Sequence, residues 1–179
     1  MWATTDTKHC GPARAYLQKA LDLGSTNPTV VRLAAIENIV GVKEASGNIT
    51  QIAEIVASVP DSFLVISGDD ALTTAVMAVG GRGVISVVSN EAPAEMAQIV
   101  ELCESGDFAA ARKLFTWLLP LCQVNFVETN PIPVKAAMAA MGLMEETYRL
   151  PLVPPSPAAR EKILRVLQHL HFLGAAARA

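Results

Sequence analysis

The chain has 179 residues, 51% hydrophobic and 17% charged, with a mean hydropathy of +0.36, which fits one folded domain of ~100–200 residues, with or without an appendage, and excludes a disordered chain. A net charge of −3 with only 5% aromatics offers neither a basic surface for phosphates nor a stacking platform, so nucleic-acid binding is not expected. The longest uncharged stretch, Leu114 to Val127, is broken by Pro120 and carries Gln123 and Asn125, which falls short of the ~18 apolar residues of a spanning helix.

In chain order, residues 1–27 form an atypical segment. Thr4 to Gly11 is polar and loop-like, then Ala13, Tyr16, Leu17, Ala20 and Leu21 fall at helical spacing up to Gly24. Asn27-Pro28 joins a good N-cap to a proline at the first helical position, which predicts a helix running toward Ile36.

From Ile39 the pattern changes to short apolar runs, IVGVK (39–43), FLVIS (63–67) and GVISVV (83–88). Strands buried on both faces look like this. Between them, Asn48 to Val59 and Asp70 to Val79 read as helices, the first capped by Asn48 or Thr50 and stopped by Pro60, the second capped by Asp69 or Asp70 and stopped by Gly80-Gly81. Strand, helix, strand, helix, strand implies parallel crossovers over residues 28–91.

After Asn90 the pattern is helical to the end, over residues 92–179: Pro93 to Glu104, Asp107 to about Phe126 with a kink at Pro120, Ile132 to Met141, and Pro157 to His171. The proline-rich segment 150–157 is a stiff connector. The expected fold class is therefore α/β, about three parallel strands with crossover helices followed by a C-terminal helical subdomain. A closed (β/α)₈ barrel typically needs ~250 residues, so these strands amount to a partial barrel with open sheet edges.

The three cysteines, Cys10, Cys103 and Cys122, are odd in number and scattered, which suits reduced thiols, and they show no zinc spacing. No apolar signal core follows the start of the chain, and the expected location is cytoplasmic.

Lys43 is the leading candidate for chemistry. It ends the IVGV run at the C-terminal end of a strand, where α/β folds collect reacting groups. An amine on the rim of an apolar interior is partly desolvated, which frees the lone pair that attacks a ketone to form a Schiff base. On spacing alone, a lysine snorkelling to solvent is the simpler reading. Asp69 and Asp70 could form a carboxylate pair, though capping explains them better. Gly80, Gly81 and Gly83 around Arg82 lead into a strand instead of a helix, which favours a tight turn over a phosphate loop. His169 and His171 are two apart and face different directions on a helix. Lys135 reads as a structural or solvated lysine.

The blocks NIVGVKEASGN (38–48), FLVISGDD (63–70), GGRGVISVVSN (80–90), TNPIPVKAAM (129–138) and YRLPLVPP (148–155), in this order, closely resemble dihydrodipicolinate synthase, of the pyruvate-dependent class I aldolase family. The resemblance runs from about Thr29 to about Leu173. It implies a homo-oligomeric TIM-barrel lyase in which pyruvate forms a Schiff base with Lys43, then condenses with L-aspartate 4-semialdehyde on the route to lysine, without metal or organic cofactor. Ile85 matches the family position whose backbone lies beside bound pyruvate.

The family's first five strands would precede Lys43, and residues 1–27 do not resemble them. The threonine pair, the relay tyrosines and the carboxylate-binding arginine have no counterpart, since Tyr16 and Tyr148 match neither relay position. No general acid or base is carried over. The expectation is a C-terminal half produced by a truncated or disrupted reading frame, or a chain completed by a complementary N-terminal half. A related pyruvate-dependent enzyme such as N-acetylneuraminate lyase, or a catalytically silent interaction fragment, are the alternatives.

Overall fold

The computed structural model describes residues 28–173. The helix expected around Ala13 to Leu21, Cys10 and the alanine-rich end lie outside the described residues. The chain divides into two compact units between Ile85 and Ser86.

The first unit opens with α1 (Pro28–Leu33), begun by Pro28 as the sequence predicts. Strand β1 (Gly41–Glu44) follows, then α2 (Ile49–Ser58), β2 (Leu64–Ser67), a 3₁₀ turn (Asp70–Leu72) and α3 (Thr73–Ala78). Asn48 caps α2, its side-chain oxygen accepting from the amides of Thr50 at 3.1 Å and Gln51 at 3.2 Å. Val59 leaves the helix in an extended conformation, as the residue before a proline must. The second helical segment is split. Asp69, not Asp70, is the cap, accepting from the Ala71 amide at 2.8 Å. Thr73 Oγ1 donates to the Asp70 carbonyl at 2.9 Å, and α3 begins only there.

β1 and β2 pair in parallel, Val42 opposite Val65 and Lys43 opposite Ile66. Because side chains alternate along a strand, this register sorts the sheet into two faces. Val42, Phe63 and Val65 face the helices, where they meet Val30, Ile52, Ile55, Val59 and Val76 in the unit's core. Truncating one of the fully buried isoleucines there, Ile52 or Ile55, would cost about 2–5 kcal/mol. Lys43, Leu64 and Ile66 point the other way.

The third strand expected over 83–88 does not form. The chain touches β2 through one parallel bridge, Ser67 to Val84. Three backbone hydrogen bonds flank it: Arg82 N to Val65 O at 2.9 Å, Ser67 N to Gly83 O and Ile85 N to Ser67 O at 2.8 Å. Beyond Ile85 extension ends, and Val88–Asn90 is a 3₁₀ turn. The physical reason is local. Ser86 Oγ accepts from the Ser89 amide at 2.8 Å and Ser89 Oγ donates to the Ser86 carbonyl at 3.1 Å, and such side-chain bonds divert the backbone from a ladder. Among the described residues the sheet is thus two parallel strands and a bridge, in the order β1, β2, Val84.

The second unit is helical: α4 (Pro93–Glu104), α5 (Phe108–Val124), α6 (Ile132–Ala140) and α7 (Pro157–His169). Asp107 caps α5 through the Ala110 amide at 3.0 Å, and Ser156 caps α7 through the Ala159 amide at 3.2 Å. α5 carries Pro120 within its length. α4 packs on α5, and α7 packs on both α5 and α6. Their buried faces include Ile99, Leu118, Leu121, Ile163 and Leu167. No helix among the described residues is long and apolar enough to cross a membrane.

Candidate active site

Lys43 sits third in β1, on the sheet face turned away from the helices, and is exposed. Its Cε lies beside Gly68, so close that a Cβ on residue 68 would stand 2.8 Å from it, 2.6 Å from Ala45 Cβ and 3.1 Å from the Glu44 carbonyl oxygen. The Gly68 amide donates to that carbonyl at 2.6 Å. The ends of β1 and β2 are thereby tied together at the one point where the lysine side chain passes.

Val84 is bridged to Ser67 and so shares the helix-facing side with Val65. Ile85, next in sequence, therefore falls on the Lys43 face. It is 52% exposed, and Leu64 on the same face is 39% exposed. Sequence reasoning placed Ile85 in a buried strand. Here its amide is held by the Ser67 carbonyl while its side chain stands open. The two residues singled out from sequence, Lys43 and Ile85, are brought to one face of one sheet.

The other candidates resolve into local structure. Asp69 caps a turn. Gly80 and Gly83 have φ of 102° and 145°, and the Gly81 amide donates to the Val76 carbonyl at 2.8 Å, which makes the tight helix-to-sheet turn expected. His169 lies in the last turn of α7, whereas His171 is beyond its end with φ of 61°. No cluster of three His, Cys, Asp or Glu able to hold a metal occurs among the described residues. Cys103 and Cys122 are both buried, and burial pushes the Cys103 thiol up.

In the helical unit Lys135 Nζ sits 5.4 Å from the centre of the Tyr148 ring. The Tyr148 hydroxyl donates to Glu146 Oε1 at 2.9 Å, and Glu146 is paired with Arg160. Desolvation, then the Glu146 carboxylate, raises the Tyr148 phenol to about 12. This cluster clasps the 143–156 connector to α6 and α7.

Sequence reasoning missed Glu44. It is buried, at 8% exposure, and its carboxylate accepts from the Ser46 amide at 3.2 and 3.3 Å and from Gln51 Nε2 at 3.1 Å. Strand alternation was the available signal, since a residue next to an outward lysine must face the helices.

A family model described as the dihydrodipicolinate synthetase family matches residues 24–170. The 4-hydroxy-tetrahydrodipicolinate synthase of Syntrophobacter fumaroxidans is 54% identical over 141 residues, 78% of this chain and 48% of that protein. Its namesake from Koribacter versatilis is 50% identical over 138 residues, 77% of this chain and 46% of the relative. Among solved structures, the dihydrodipicolinate synthase of Thermotoga maritima superimposes with a TM-score of 0.79 at 41% identity, covering 82% of this chain and 51% of that one. The chain spans about half the length of the curated relatives it matches. Its two parallel strands and crossover helices are part of the α/β TIM-barrel fold of those relatives, and the chain belongs to the dihydrodipicolinate synthetase family.

Proposed function

We propose that this chain carries the Schiff-base lysine of a dihydrodipicolinate synthase-type lyase, with Lys43 as nucleophile toward pyruvate. The observation that carries this reading is the placement of Lys43 at the end of β1, its Cε against Gly68, on the sheet face it shares with Ile85. The Lys43 amine adds to the pyruvate ketone, and loss of water leaves a protonated imine. That cation is the electron sink: a methyl proton leaves, and the resulting enamine attacks the aldehyde carbon of L-aspartate 4-semialdehyde. Hydrolysis then returns the amine. The names of the relatives support this aldehyde over that of another pyruvate-dependent lyase such as N-acetylneuraminate lyase. The backbone of Ile85 flanks the pyruvate in this scheme.

No residue here is assigned as general acid or base. A well-placed group of that kind contributes ~10²–10⁴-fold, so low steady turnover is expected of the 179-residue chain, with full activity assigned to a homo-oligomer or to association with a complementary N-terminal half. A second reading, an interaction fragment without catalysis, draws on the exposed Leu64 and Ile85 of the same sheet face.

Pyruvate followed by borohydride tests the choice. The expected result is a reduced adduct on Lys43, found by peptide mass mapping and lost in Lys43→Ala. Adducts spread over other lysines, or persisting in Lys43→Ala, would overturn the lyase reading.

A further inference from the structure

Glu44 is a buried carboxylate next in sequence to the proposed nucleophile, and the reaction scheme leaves it without a task. We propose that Glu44 is a positioning residue for Lys43, acting from the far side of the sheet; this rests on the reading of Lys43 given above. Neighbouring strand residues point to opposite faces, so the Glu44 carboxylate faces the helices and not the amine. There it binds the chain on both sides of a turn. It accepts from the Ser46 amide through both oxygens and from Gln51 Nε2, in the first turn of α2. Ser46 Oγ in turn accepts from the Asn48 amide at 3.1 Å, and Asn48 caps α2. The Glu44 carbonyl meanwhile accepts from the Gly68 amide at 2.6 Å.

One residue therefore ties the end of β1 to the start of α2 and to the end of β2, with Lys43 immediately before it. A buried acceptor is costly to leave unpaired, so these bonds hold the turn in place. Fixing the backbone at Glu44 fixes the root of the Lys43 side chain, and reaction rates are sensitive to such placement. An acceptor is what the arrangement needs, since the carboxylate and the amine lie on opposite faces of the sheet.

The test compares Glu44→Ala, Glu44→Gln and Gln51→Leu with the wild-type 179-residue chain by two readouts. One is hydrogen exchange in peptides covering residues 43–51 and 64–72, which is independent of pyruvate. The other is the rate and pH profile of borohydride trapping of pyruvate on Lys43. Glu44→Ala is expected to raise exchange in both peptides and slow trapping by roughly 10- to 100-fold. Glu44→Gln keeps an acceptor for Ser46 and accommodates a flipped Gln51 amide, so trapping stays within about threefold with an unmoved pH profile. Gln51→Leu, which spares the Ser46 bonds, is intermediate and serves if Glu44→Ala fails to fold. Wild-type trapping in a Glu44→Ala chain whose exchange has risen would overturn the proposal, as would a displaced pH profile in Glu44→Gln. Absence of trapping in the wild-type chain, with exchange responding as expected, would instead overturn the Schiff-base reading and leave only the anchoring of the loop.

Discussion

The Lys43 side chain passes over residue 68 with its Cε 2.8 Å from where a Cβ would stand, so the lysine's path depends on that residue being glycine. Gly68→Ala brings the new methyl against Ala45 Cβ at 2.6 Å and the Glu44 carbonyl at 3.1 Å as well. The lysine can swing aside, but backbone and a β-carbon cannot. The expected outcome is a loss of about 1–3 kcal/mol in denaturant unfolding together with reduced pyruvate trapping on Lys43. An alanine variant matching wild type in both would refute the steric account.

β1 has a strand neighbour on one side only among the described residues, and Leu64 and Ile85 are exposed on the face opposite the core. Unpaired ladder groups beside apolar side chains recruit other chains. Light scattering of the purified chain at tens of micromolar is expected to show oligomers or aggregate. Co-expression with a five-strand N-terminal half is expected to restore solubility, and condensation activity with it. A stable compact monomer would contradict the open-edge argument.

In the helical unit, Asn125 Nδ2 donates to Glu91 Oε2 at 2.5 Å, and both side chains are buried. Asn125→Leu withdraws a donor from a buried carboxyl and is expected to cost about 1–3 kcal/mol. Replacing both, Glu91→Val with Asn125→Leu, removes the polar requirement along with its partner, so the double variant should be more stable than Asn125→Leu alone. A strictly additive thermodynamic cycle from urea unfolding would show that the two side chains are not coupled.

The clasp on the connector is expected to respond to pH at both extremes. The phenol of Tyr148 is raised to about 12, so its contribution is fully present below about 10, its unfolded value, and is lost as pH rises through about 12. Glu146 is held below the usual 4.5, chiefly by its hydrogen bond from Arg160, so its contribution is present above that value and lost as pH falls through the lowered one. Absorbance titration near 295 nm should show a Tyr148 midpoint well above 10, and Glu146→Ala should bring it down. A Tyr148 midpoint near 10 in the intact chain would remove the basis for the clasp.

Local chemistry in the sequence determined most element positions. Asn48, Asp107, Pro28, Pro93, Pro157 and the apolar periodicity set helix starts that the structure reproduces, because caps and proline φ act within a few residues. The motif blocks around Lys43 likewise identified the family, since the spacing of those blocks is written in the chain itself. The third strand was misread. A run of apolar residues reports burial, not backbone pairing, and the Ser86–Ser89 bonds divert the chain just beyond the bridge at Val84. Tertiary structure alone decided that Ile85 shares a face with Lys43 and which partners Glu44 finds behind it. The contacts of Gly68 with Lys43 and of Glu44 with Gln51 join residues on different elements. No local preference encodes such contacts. They arise only when the β1–β2 register and the packing of α2 bring separate segments together.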